Sequence, residues 1–70
     1  MTTRQELVVA EKKELDARRQ ALQSWISAPE NQARISDEEE RRLHRQAAAM
    51  YAYSMVLGER IDAFTNDEEE

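Results

Sequence analysis

Arg60 and three rings, Trp25, Tyr51 and Tyr53, are the side chains in this sequence best suited to binding chemistry. Aromatic faces stack on bases and a guanidinium fork takes phosphate, so the four together suit a nucleotide ligand. Taken singly, each ring is better explained by packing. No residue set points to catalysis. Ser54 sits amid helical spacing, where a hydroxyl usually bonds the carbonyl one turn earlier. Glu38, Glu39 and Glu40 are consecutive, so on a helix they point different ways and read as a solvated face. His44 stands among Arg41, Arg42 and Arg45 and suits the surface or a phosphate contact. A lone histidine builds no metal cage, and the absence of cysteine excludes disulfides, zinc–thiolate sites and thiol catalysis. No enzyme activity, cofactor or metal is expected.

The charge balance narrows the partners. Fifteen acids face ten bases, net −5, where long nucleic-acid duplexes call for the opposite sign. Two basic clusters, Lys12/Lys13/Arg18/Arg19 and Arg41/Arg42/Arg45, lie three or four residues from acids, as in Glu14–Arg18 and Glu38–Arg42. Such helix-surface pairs contribute about 0.2–0.5 kcal/mol each, so surface pairing accounts for most of the bases. Residues 67–70 form an acidic tail of the kind that solubilises.

The elements that must position these groups are helices. One Gly and one Pro in 70 residues describe a nearly all-helical chain. A first helix is predicted over about 4–27, started by a capping box at Thr3–Glu6. Its apolar positions are Val8, Leu15, Leu22 and Ile26, with Leu7 and Trp25 beside them, and charge at Glu11 and Arg18 interrupts the seam. Pro29 ends it, and 28–35 connect, with room for a short helical turn. A second helix is predicted over about 37–65, with Ser36–Glu39 as its box and acids in its first turn that suit the dipole. There Leu43, Ala47, Met50, Ser54, Leu57, Ile61 and Phe64 alternate by four and three. A short connection makes the two helices antiparallel neighbours, a hairpin over 1–66.

One partner helix cannot cover the middle of the second helix. Tyr51, Met55 and Gly58 form a second stripe there, and Ala49, Tyr53 and Val56 a third. Ile61 and Phe64 are expected to overhang the start of the first helix. Gly58 suggests close approach of a neighbour. A chain of this size has a marginal core, and a further copy is the remedy left to it. The expected fold class is therefore all-α, an antiparallel two-helix hairpin assembling into a homo-oligomeric helical bundle, with Met50, Met55, Val56, Gly58, Ile61 and Phe64 at the interface. No apolar run approaches the roughly 18 residues of a membrane span, and no signal peptide is visible, so the expected location is the cytoplasm.

The string from Leu7 to Asp16, then Trp25-Ile26, then Met50-x-x-Tyr53-Ser54-x-x-Leu57-Gly58-Glu59-Arg60-Ile61, resembles a family of small phage proteins. In size and shape the chain is also similar to phage sponges of the anti-CBASS and anti-Thoeris kind. Those are helical hairpins that oligomerise and trap cyclic nucleotides or cyclic ADP-ribose-type signals between subunits. Their tyrosine-containing amino-terminal segment has no counterpart here, and Arg60 is the one position that matches a late arginine in their second helix. The resemblance implies a counter-defence protein acting in the host cytoplasm, which sequesters a nucleotide signal without catalysis. The alternatives are an inhibitor or adaptor that binds a host protein, and an RNA-binding four-helix-bundle dimer.

Overall fold

The computed structural model describes residues 1–64 and is all-α: α1 (Thr3–Ser27), α2 (Pro29–Gln32) and α3 (Asp37–Ala63). The proposed end at Thr65 and the acidic tail lie outside the described residues. The capping box of α1 is one residue earlier than expected. Thr2, not Thr3, is the N-cap: its hydroxyl accepts from the Gln5 backbone N–H, and Gln5 Oε1 accepts from the Thr2 N–H at 2.9 Å. Thr2 holds extended backbone, which leaves its side chain free to fold over the first turn. Ser36 caps α3, its Oγ accepting from the Glu39 N–H at 3.0 Å.

The link between the long helices contains the short turn α2, with proline in its first turn, where a missing N–H costs nothing. Ala28 precedes it and supplies no side-chain cap. The link also closes the end of α1. Asn31 Nδ2 donates to the Trp25 carbonyl at 3.0 Å, and Gln32 Nε2 donates to the Ile26 carbonyl at 2.8 Å. The Trp25 carbonyl, which also accepts from the Ala28 N–H at 3.3 Å, gains a second donor, and the Ile26 carbonyl is capped by a side chain.

Helices α1 and α3 pack along their lengths. A methyl group added at Gly58 would lie 3.3 Å from Lys12 Cε, Asp16 bonds Ser54, and Arg19 lies over Tyr51. As numbers rise on α1 they fall on α3, so the two run in opposite directions. The inward row of α3 is the predicted stripe: Ala47, Ser54, Leu57 and Phe64 are buried, and Leu43, Met50 and Ile61 are half-buried. Leu57 is the most enclosed at 1% exposure. It clusters with Val8, Leu15 and Phe64, flanked by Val9, Met50 and Ile61.

Two expectations change here. Phe64 does not overhang: it is 7% exposed because the start of α1 reaches its level, placing Val8 in the same cluster. Nor is the α1 seam interrupted. It runs Gln5, Val8, Lys12, Leu15, Arg19, Leu22, Ile26, all buried or half-buried. Every second position of its upper part is polar, while Glu11 and Arg18 lie outside it, exposed.

The result is a rod of 48 × 15 × 13 Å. Its radius of gyration is 15.7 Å, against about 11 Å for a compact chain of this length.

Candidate ligand-binding surface

The polar seam residues form one connected group between the helices. Lys12 Nζ donates to Asp16 Oδ2 at 2.7 Å and to Ser54 Oγ at 3.1 Å. Ser54 Oγ donates in turn to Asp16 Oδ1 at 2.5 Å. The hydroxyl therefore bonds α1 and does not turn back on its own helix, as its position alone suggested. The Lys12 bond, then the Ser54 bond, holds the Asp16 carboxyl below its usual range, with the charges of Lys12 and Arg19 adding to this against partial burial. Arg19 lies beyond, its Nε 3.9 Å from Asp16 Oδ1 and its guanidinium carbon 5.2 Å from the Tyr51 ring centre. That separation suits a cation–π contact. The Nε is buried and has no hydrogen-bond partner.

A serine beside a lysine suggests nucleophile and base, but this arrangement is inverted for that purpose. The Lys12 ammonium donates to both Asp16 and Ser54, and the Ser54 proton is directed at the carboxylate, not at the lysine. A carboxylate with a depressed pKa is a weak base. Ser54 is 5% exposed and closed to a substrate. The group is suited to fixing α1 on α3. Among the described residues, no group of three or more acidic or histidine side chains could hold a metal ion.

The two grooves of the α1–α3 pair have different linings. Residues three and four apart share a helix side. Tyr51, Met55 and Gly58 lie on one flank of α3, and the contacts of Tyr51 and Gly58 with Arg19 and Lys12 fix which groove they border. Tyr53, Val56 and Arg60 follow the opposite flank. They border the second groove with the α1 flank opposite Asp16, which carries Leu7, Glu14, Arg18 and Trp25. The four expected ligand residues therefore divide: Trp25, Tyr53 and Arg60 share one groove, and Tyr51 sits on the other with Arg19. Trp25 and Arg60 also lie near opposite ends of the rod. One chain alone does not bring them together.

Of the residues expected at an oligomer interface, Met50, Ile61 and Phe64 enter the core of the chain itself. Met55 and Val56 stay about half exposed, as do Tyr51 and Tyr53. Gly58 is crowded, but by the Lys12 side chain of the same chain. The basic clusters are partly neutralised: Arg18 by Glu14 at 2.8 Å, Arg42 by Glu39 at 2.9 Å, and His44 lies 3.6 Å from Glu40. Sequence spacing missed Lys12, Asp16 and Arg19. Lys12 and Arg19 sit four residues after Val8 and Leu15, the interval at which a seam continues.

Helix packed on helix, with Trp25, Tyr51 and Tyr53 exposed on its surface, defines the class as a small all-α protein. The chain belongs to the Sequestin family, whose family model matches residues 2–63. The match starts at the N-cap of α1 and stops with the last residue of α3. No curated protein and no solved structure matches the chain.

Proposed function

We propose that this protein is a phage counter-defence factor that forms a homo-oligomeric bundle of helical hairpins and sequesters a nucleotide immune signal without converting it. The observation that carries this reading is the outward display of rings beside arginines: Tyr51 under Arg19 on one flank, Tyr53 ahead of Arg60 on the other. Rigid rings and guanidinium forks lose little entropy on binding, which favours tight capture by a small protein. The family's name speaks of sequestration, which fits a binder more readily than a catalyst. The shape supports assembly. No described helix is long and apolar enough to cross a membrane, and the proposed location is the host cytoplasm.

The ligand class follows from the groups displayed: a cyclic di- or trinucleotide, or a cyclic ADP-ribose-type molecule, with phosphate on Arg60 and bases against Trp25, Tyr53 or Tyr51. Calorimetry against a panel of these ligands tests the proposal. Binding of at least one member is expected, with at least tenfold weaker binding by Arg60→Ala at unchanged oligomer mass. A panel that gives no heat would leave the exposed apolar surface to a host protein, the second reading.

A further inference from the structure

The groove that holds Trp25, Tyr53 and Arg60 carries a strip of large exposed apolar side chains: Leu7 and Trp25 from α1, Tyr53 and Val56 from α3, between 41% and 64% exposed. The pairings Lys12–Gly58, Asp16–Ser54 and Arg19–Tyr51, extended along both helices, put Trp25 level with Arg45 and Leu7 level with Ala63. The strip is then about 27 Å long at 1.5 Å per residue. Tyr53 and Val56 flank its midpoint.

We propose that a second copy of this chain covers the strip in an antiparallel two-fold arrangement, and that each ligand site is composite, made from Trp25 of one copy and Arg60 of the other. The inference rests on the oligomeric sequestration reading and specifies its interface.

Charge selects the direction. Glu14 and Arg18 border this groove and form an exposed ion pair, with side chains 68% and 71% exposed. By the pairing above, Glu14 is level with Val56 and Arg18 with Ala52. A two-fold axis across the midpoint sets Glu14 opposite the partner subunit's Arg18, and the reverse. A parallel arrangement, with the two-fold along the rod, lays α1 over α3 of the other copy and sets Glu14 level with Val56 of the partner subunit and Arg18 level with Ala52 of the partner subunit, so the two Glu14–Arg18 contacts across the interface form only in the antiparallel one. The same operation inverts the levels of the rod. Trp25 comes within about 5 Å, along the axis, of the level of the partner subunit's Arg60. The groups that one chain holds apart are then adjacent, twice per dimer, as isologous symmetry requires.

The chain has no cysteine, so single introduced thiols report cleanly. The test uses the full chain, a short bis-maleimide and light scattering of the same samples. Val56→Cys, near the axis, should cross-link to itself, while Ala52→Cys on the outer side of α3 should not. Trp25→Cys alone and Arg60→Cys alone place like thiols about 27 Å and 18 Å apart along the rod and should not react. Mixed after reversible unfolding, those two variants should give a cross-linked heterodimer. An oligomer by mass with no Val56→Cys cross-link would overturn the interface and leave sequestration standing. Cross-linking of Val56→Cys without the mixed Trp25/Arg60 product would overturn the composite site. A monomeric mass at all concentrations would overturn this inference and the oligomeric reading together.

Discussion

Val56 and Leu57 are adjacent in sequence and opposite in environment, 52% and 1% exposed. Leu57→Ala removes the most enclosed side chain of the cluster with Val8, Leu15 and Phe64. A buried Leu→Ala change costs about 2–5 kcal/mol, through lost transfer energy and the cavity left behind. Packing on several sides, as here, argues for the middle of that range, about 3 kcal/mol. A chain of this length has about 3.5–10 kcal/mol of stability in all, so the loss consumes roughly 30% or more of it. Val56→Ala removes little that the isolated chain has buried and should change its intrinsic stability by less than about 0.5 kcal/mol. Its effect should appear in assembly. Urea unfolding followed by helical circular dichroism, repeated over a hundredfold range of concentration, separates the two. Leu57→Ala should lower the midpoint at every concentration. Val56→Ala should flatten the dependence of the midpoint on concentration and converge with the parent chain at high dilution. Equal losses for the two variants at high dilution would refute the assignment of one side chain to the core and the other to the surface.

Three further outcomes follow from the caps, the seam and the glycine. Ser36→Ala deprives the Glu39 N–H of its acceptor and should cost about 1 kcal/mol in the same unfolding assay; no loss would show that the cap is dispensable. The Asp16 carboxyl is held below its usual range, so its contribution to stability is complete above the unfolded-state pKa and is lost as pH falls through the folded one. Acid titration of Asp16→Asn should therefore lack part of the parent's stability loss below about pH 4, and superimposable profiles would contradict the network. Gly58→Ala should stabilise α3 by less than the full propensity gain of about 1 kcal/mol, because Lys12 must yield, whereas Gly58→Leu should destabilise by displacing the Lys12 stem; a stabilising Leu would refute the crowding.

The row from Leu43 to Phe64 was legible because six of its seven positions are apolar and the spacing never slips. Pro29 and Ser36 likewise marked where α1 had to stop and α3 could begin. The α1 row was legible only at Val8, Leu15, Leu22 and Ile26. Its other members, Gln5, Lys12 and Arg19, are polar, and an apolar count passes over them. Lys12 enters the seam because its stem packs beside Gly58 while its ammonium meets Asp16 and Ser54. That arrangement depends on a residue 42 positions away, which local periodicity does not report. The same limit applied to the candidate binding residues. Trp25, Tyr51, Tyr53 and Arg60 were recognisable by type, but their division between two grooves required the register of α1 on α3. The expected overhang of Phe64 turned on register as well: with Lys12 beside Gly58 and Asp16 on Ser54, Phe64 falls level with Glu6, inside α1.

The most direct test of sequestration is native mass spectrometry of the purified protein after incubation with the panel of cyclic nucleotides and cyclic ADP-ribose isomers, followed by denaturation and identification of what is released. The account predicts an oligomer carrying a fixed number of nucleotides per assembly, with the ligand recovered at its original mass and bound at least tenfold less tightly by Arg60→Ala. A cleaved or rearranged ligand would contradict it by making the protein an enzyme, and an assembly that takes up no member of the panel would contradict the nucleotide reading.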